Sequence, residues 1–274
     1  MNIQPVTPAI GAEIEDLDLS APLDSQTLRS INQAFLNHHV LFFREQKLNP
    51  ADLVRIARHF GPVAKYPFAE PLPNQPEVVA IIKEPAQKTV FGGIWHTDSA
   101  YLETPSMASL LYALEVPALG GDTLFSNQHL AFETLSHQMQ TRLRSLRAVH
   151  SSVKNQAELR ADHLQGGAMK SGAKDVYTRS HPVVRRHPET QRESLYLSPA
   201  HTTEIEGMEK EKSDALLAQL FEHALKDDFK CRFRWRSGTL ALWDNRCTLH
   251  YPINDYHGQR REMHRVSIDG DRPV

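Results

Sequence analysis

Thr239-Leu240-Ala241-Leu242-Trp243-Asp244-Asn245-Arg246-Cys247-Thr248-Leu249-His250 reads as a short apolar strand that runs into a polar turn and hands on a histidine. Thr239 to Trp243 carry no charge, and Asp and Asn side chains bond their own backbone in turns. Trp243, Asp244 and Asn245 therefore shape the turn that delivers His250. Just upstream, Phe229, Cys231, Phe233 and Trp235 alternate with polar residues at the period of a strand. Further out, His39-Val40-Leu41-Phe42-Phe43 is a continuous apolar run that predicts a buried strand, and Val78 to Ile82 predicts another. Met107 to Leu114 predicts a strand ending at Pro117 and the Gly120-Gly121-Asp122 turn. Helices are expected after Leu23-Asp24-Ser25 (with Leu28, Ile31 and Phe35 on one face), from about Asn49 to Phe60, over Leu130 to Leu146, and over about Lys212 to Lys226. The opening Ile3 to Val6, with Ile14, Leu17 and Leu19, suits short strands broken by turns. No repeat or linker divides the chain, so residues 1–274 are expected to form one domain, a β-core with helices around it. Residues 151–176 show little periodicity. A segment that long inside a compact domain suggests a lid or binding loop, or else a plain surface loop.

Composition excludes several classes. Apolar residues make up 40% and charged residues 23%, the balance of an ordinary soluble protein. A formal charge of −2 gives no global pull toward nucleic acid or an anionic membrane. No apolar run is long enough to span a bilayer, and Met1-Asn2-Ile3-Gln4-Pro5 lacks the regions of a signal peptide. Two cysteines, Cys231 and Cys247, exclude a disulfide scaffold and make a reducing cytoplasm the expected compartment. The fifteen histidines raise the expectation of a metal site.

The candidate site begins with Trp95-His96-Thr97-Asp98. On a strand, residues i and i+2 share a face, so His96 and Asp98 can present an imidazole and a carboxylate to one ion. Two imidazoles and a carboxylate can hold one face of octahedral Fe(II) and leave the other open, so a distal histidine such as His250 could complete the set. His-x-Asp alone is weak, and chance or structural use explains most isolated cases. Arg261 and Arg265 follow; a guanidinium offers a planar fork to a carboxylate, although a solvated basic face with Arg260, His264 and Arg272 is the plainer reading. Thr123 could equally be a turn residue after Gly120-Gly121. Cys247 near His250 invites a zinc reading, but structural zinc sites use several thiolates and only one other cysteine exists. A small buried apolar residue is the simpler role for it.

Taken in order, Trp95-His96-Thr97-Asp98, Gly120-Gly121-Asp122-Thr123, Trp243-Asp244-Asn245-Arg246, His250 and the two arginines resemble the taurine dioxygenase/TfdA-like family of Fe(II)/2-oxoglutarate dioxygenases. The resemblance runs from Gly11 and Asp16 to Arg265. It implies a mainly β fold with flanking helices, built on a double-stranded β-helix (jelly-roll, cupin-like) core with iron in its mouth. It implies His96, Asp98 and His250 as metal and catalytic ligands, and Thr123 and Arg261 as binders of the distal carboxylate of 2-oxoglutarate. Arg265 matches the residue that reaches an anionic group of the primary substrate. The implied reaction consumes O₂, converts 2-oxoglutarate to succinate and CO₂, and hydroxylates the substrate; desaturation or ring closure is an alternative outcome. A non-catalytic metal-binding jelly-roll sensor would need the triad but not Thr123 and Arg261. A zinc hydrolase would need no keto-acid site.

The chain departs from the taurine enzymes where a pocket would differ. Tyr66, before Pro67, replaces a histidine, and Phe91-Gly92 replaces a polar pair. The expected substrate is a small anion with an apolar body: a sulfonate, a sulfate ester or a carboxylate. Arg265 would take its charge, with Tyr66, Phe68 or Phe91 as walls and Ser99 as a further contact. No nucleic acid or membrane partner is expected. By resemblance the chain is expected to be a homo-oligomer, a dimer or tetramer.

Overall fold

The computed structural model describes residues 1–65, 70–153 and 176–274. In chain order the elements are β1 (Asn2–Pro5), β2 (Ala12–Glu15), α1 (Ser25–His38), β3 (Val40–Phe43), α2 (Pro50–Ala57), β4 (Val63–Ala64), β5 (Pro71–Leu72), β6 (Gln75–Lys83), β7 (Ala108–Glu115) and β8 (Thr123–Asn127). They continue with α3 (Gln128–Glu133), α4 (His137–Arg144), β9 (Arg147–Ser151), β10 (Thr178–Pro182), β11 (Val184–Arg186), β12 (Glu193–Leu195), β13 (Thr202–Ile205) and α5 (Lys210–Ala224). Last come β14 (Lys230–Phe233), β15 (Leu240–Asp244), β16 (Thr248–Pro252) and β17 (Arg261–Ile268).

A large sheet runs β1-β2-β3-β15-β7-β17-β6-β5, with β4 also on β17; a small sheet runs β14-β8-β16. Helices α1 and α2 cover one face of the large sheet and the small sheet covers the other. Alternation shows this directly. Leu41, Phe43, Leu240 and Leu242 pack with Ile31, Phe35, Leu53 and Val54 of the helices. Their neighbours Val40, Phe42, Ala241 and Trp243 pack with Phe125, Cys231 and Phe233 of the small sheet. A strand covered on both faces favours apolar residues at successive positions, which is why residues 40–43 form an unbroken run. Phe42 stacks on Phe233 with ring centroids 3.6 Å apart and planes within 3° of parallel.

Local chemistry sets the helix ends. The Asp24 carboxylate accepts from the Thr27 N–H at 2.7 Å, a cap worth about 1 kcal/mol. Asn49 and Asp52 form a reciprocal capping box at the start of α2. The helix expected over Leu130 to Leu146 is two helices. The Thr134 hydroxyl bonds back to the Leu130 carbonyl at 2.7 Å, and the Ser136 hydroxyl accepts from the Met139 N–H as a new cap. Hydroxyl side chains that satisfy backbone groups locally compete with a continuous helix, and they win here. The lid reading falls mainly on residues 154–175, outside the described residues. Among the described residues no helix is long and apolar enough to cross a membrane.

Candidate metal and cosubstrate site

The mouth between the two sheets brings together residues far apart in the chain. His96 and His250 form an isolated antiparallel bridge: the His96 N–H donates to the His250 carbonyl at 3.0 Å, and the His250 N–H to the His96 carbonyl at 2.8 Å. Directly opposed residues put their side chains on one face, and the two rings lie with centroids 4.0 Å apart. His96 is the only strand-like residue of its motif. Asp98 lies in the turn that follows, not on the same strand as expected. It is fastened from across the site: the Thr97 hydroxyl donates to the Asn245 carbonyl at 2.7 Å, and the Asp98 N–H to Asn245 Oδ1 at 3.4 Å.

The ligand atoms of His96, Asp98 and His250 lie within 4.8 Å of one another. Asp98 Oδ1 faces both rings, 3.6 Å from His96 Nε2 and 3.8 Å from His250 Nε2. His96 Nδ1 donates to the Ile94 carbonyl at 2.7 Å, which leaves the Nε2 lone pair for an ion. Burial lowers the pKa of both rings, favouring the neutral form that binds metal. For Asp98, burial alone pushes upward; the Arg265 guanidinium and the two histidines overcome it and hold the carboxyl well below the usual range. Two neutral imidazoles and a fixed carboxylate fit a divalent iron ion. Gly92 packs against this group: its φ is +73°, and a Cβ there would stand 2.8 Å from His96 Cε1. That close approach leaves no room for a polar side chain at this wall.

The adjoining cavity is lined by Ile81, Phe91, Leu111, Thr123, Trp243, Pro252, Arg261 and Arg265 as well as the two histidines. Arg261 and Arg265 lie on β17 with Met263 between them, all buried, while Glu262 and His264 are half-buried. Even separation along the strand gives them a common face, so they do not form the solvated basic face. Arg261 Nε and Nη2 are buried with no partner among the described residues, and burial lowers the pKa of this guanidinium. The Trp235 ring, its centroid 5.7 Å from Arg261 Cζ, offers only weak compensation; a buried cation with no hydrogen-bonded anion is costly, so the position calls for one. Thr123 stands at the same cavity; its oxygen accepts from Trp235 Nε1 at 2.9 Å, which leaves its proton to donate. Arg265 Nη2 donates to Asp98 Oδ2 at 2.8 Å.

Other expected residues divide. Phe91 lines the cavity. The Ser99 hydroxyl lies 3.4 Å from the Ser106 hydroxyl, and Ser99 is not among the lining residues. Tyr66 and Phe68 lie outside the described residues. Cys247 is a buried free thiol beside His39 and His129. Sequence reading missed Trp235 as the anchor of Thr123 and Ser109 as a partner of Asp98. The second had a signal: a serine inside the apolar run of β7.

The sequence profile described as "Taurine catabolism dioxygenase TauD, TfdA family" matches residues 2–267. The chain belongs to this family. It is 32% identical to an alpha-ketoglutarate-dependent sulfate ester dioxygenase of Pseudomonas putida, over 100% of this chain and 91% of that protein. It is 32% identical to the alpha-ketoglutarate-dependent 2,4-dichlorophenoxyacetate dioxygenase of Cupriavidus pinatubonensis, over 98% of each. A crystal structure of a taurine dioxygenase from Burkholderia xenovorans superposes with a TM-score of 0.86 at 34% identity, covering 100% of this chain and 92% of that one. The fold is thus the jelly-roll of these dioxygenases. As a member of the family the chain is an oxidoreductase that uses Fe(II), 2-oxoglutarate and O₂.

Proposed function

We propose that His96, Asp98 and His250 hold the iron, that Thr123 and Arg261 hold the distal carboxylate of 2-oxoglutarate, and that Arg265 reaches the anionic group of a primary substrate. The substrate is a small organic anion with an apolar body, which the enzyme hydroxylates. Bound Fe(II), 2-oxoglutarate and O₂ supply the oxidising power and yield succinate and CO₂; the protein supplies position and a dry site.

The observation that carries this reading is the buried Arg261 guanidinium, with two unpartnered nitrogens beside the imidazole pair. It has the planar fork a carboxylate needs, and Thr123 adds one directed proton. Arg261→Met tests it. Two charge-assisted hydrogen bonds are worth about 3–6 kcal/mol together, so the 2-oxoglutarate affinity should fall at least about 100-fold. The apo protein should melt no lower than wild type, because an unpaired buried charge has gone. Unchanged 2-oxoglutarate affinity would remove Arg261 from the cosubstrate site.

The substrate class rests on the apolar walls. Ile81, Phe91 and Leu111 line the cavity, and Gly92 can offer no side chain to an ammonium group. Two of the named relatives are a sulfate ester dioxygenase and a 2,4-dichlorophenoxyacetate dioxygenase, both with anionic substrates. In a panel of sulfonates, sulfate esters and carboxylates, substrate-dependent succinate release should be greatest for apolar-bodied anions; taurine matching them would refute this. The proposal includes one catalytic domain over the whole chain and a cytoplasmic setting, supported by two free buried cysteines. It includes a homo-oligomer, dimer or tetramer, which light scattering would check.

A further inference from the structure

The two oxygens of Asp98 live in different surroundings. Oδ1 faces the two imidazoles. Oδ2 accepts from the Ser109 hydroxyl at 2.6 Å and from Arg265 Nη2 at 2.8 Å. Behind Ser109 the bonds continue in one direction. Asn245 Nδ2 donates to Ser109 Oγ at 3.1 Å, and Trp243 Nε1 donates to Asn245 Oδ1 at 2.9 Å. The Asp98 N–H also donates to Asn245 Oδ1, so both lone-pair directions of that oxygen are used and the amide is pinned. The Ser109 hydroxyl has one proton. With Asn245 donating to its oxygen, that proton has one acceptor, Asp98 Oδ2. Every member is buried, Ser109 at 0% exposure and Asn245 at 1%, so none of these bonds competes with water.

We infer that Ser109, oriented by Asn245 and Trp243, is a positioning residue that ties down Asp98 Oδ2 and so restricts the carboxylate to one metal bond through Oδ1. This rests on reading His96, Asp98 and His250 as the metal ligands. Its consequence follows from counting positions around an octahedral ion. Three single-atom protein ligands leave three positions, enough for a chelating keto acid and one further small molecule. A carboxylate binding through both oxygens would leave two, and the keto acid would fill them. Arg265 guards the same oxygen, but an arginine that also serves a substrate anion can be drawn off it. Ser109 also accepts weakly from Arg265 Nη2 at 3.5 Å, but its one proton goes to Asp98 Oδ2 whether or not Arg265 stays, so its restraint outlasts that of the arginine.

The test compares Ser109→Ala with Ser109→Thr, which keeps the hydroxyl, and with Asp98→Ala. Anaerobic Mn(II) titration of the apo protein reads metal affinity. Nitric oxide titration of the protein loaded with Fe(II) and 2-oxoglutarate, run in an Arg265→Met background so that Ser109 alone restrains Oδ2, followed by electron paramagnetic resonance, reads the vacant position. A freed Oδ2 would compete for that position, so in this background Ser109→Ala should bind nitric oxide more weakly than the protein with Ser109 intact at saturating metal, and Ser109→Thr should recover most of that affinity. Equal nitric oxide affinity with and without the Ser109 hydroxyl would overturn the inference, as would equal losses in the alanine and threonine variants, since packing and not the hydroxyl would then be at work. Asp98→Ala keeps the two readings apart: if it binds Mn(II) like wild type, the triad itself fails; if it loses Mn(II) while Ser109→Ala matches the protein with Ser109 intact throughout, only the positioning role fails.

Discussion

The Asp244–Cys247 turn separates two buried clusters of histidine and carboxylate that look alike in composition and differ in saturation. On one side, Asp98 turns one oxygen toward two imidazoles and a cavity. On the other, Asp244 accepts Arg246 Nε at 2.8 Å on Oδ1, Arg246 Nη2 at 2.7 Å on Oδ2, and His187 Nε2 at 3.0 Å on Oδ2. His187 Nδ1 meanwhile accepts backbone N–H groups from Glu189 and Thr190, which fixes Nε2 as a donor. Both clusters satisfy a purely geometric test for metal binding, since His187, Asp244 and Cys247 also lie within 4.8 Å of one another. The difference is where the lone pairs go. In the sealed cluster a bidentate guanidinium has taken them, and the aspartate braces the turn. In the open cluster an oxygen and two ring nitrogens still face one point.

Substitution separates the two most sharply at the carboxylates. Asp98→Ala should remove turnover altogether, lowering succinate release by three orders of magnitude or more on the scale of losing an essential group, and it should abolish Mn(II) binding. Because it also strands the buried Arg265 guanidinium, metal binding and not the melting temperature is the readout that separates it from Asp244→Ala. An active Asp98→Ala enzyme would end the analogy with a metal centre. Asp244→Ala should act through the fold. It strands Arg246, whose side chain is 3% exposed and whose remaining carboxylate partner is Glu189. Breaking a buried pair costs about 3–5 kcal/mol, readable as a shift of the urea midpoint. If Asp244→Ala unfolds at the wild-type midpoint yet loses Mn(II), the two clusters have been assigned the wrong way round.

The same contrast shows what the sequence could carry. Strands β3 and β15 were legible because Val40–Phe43 and Leu240–Trp243 are unbroken apolar runs, as cover on both faces favours, and such a run has few other uses. The turn that delivers His250 was legible from Asp244 and Asn245, residues whose side chains bond locally. The His96–His250 bridge was not, because nothing local to either residue encodes an antiparallel pairing across the whole barrel mouth. Nor could spacing separate Asp98 from Asp244: each is an aspartate beside a tryptophan motif, and only the tertiary fold decides which one meets a guanidinium through both oxygens. The break between α3 and α4 was hidden differently. Apolar periodicity continues across residues 130–146, and two hydroxyl side chains overrule it.

The smallest expected effect concerns acid stability. Two further rings pack behind the same turn, His129 at 5.9 Å from His187 and His39 at 5.2 Å from His129; burial pulls the pKa of His39 down to about 3 and that of His129 down to about 4, against about 6.5 in an unfolded chain. Between pH 6.5 and 4 the unfolded chain therefore binds protons that these two folded rings refuse, and stability rises with pH across that window. Their contribution is complete above the unfolded value and shrinks as pH falls toward the folded ones. Each histidine adds a slope of up to about 1.4 kcal/mol per pH unit. His39 occupies a left-handed helix cap at φ 65°, a conformation asparagine tolerates, so His39→Asn removes the titration while suiting the backbone. Urea unfolding of the apo variant at several pH values should lose about 1.4 kcal/mol per pH unit of slope between pH 6.5 and 4, whatever the packing change does to absolute stability. Because the slope and not the midpoint carries the information, an unaltered slope would mean that His39 titrates alike in folded and unfolded chains, and the cluster behind the turn would then not be sealed.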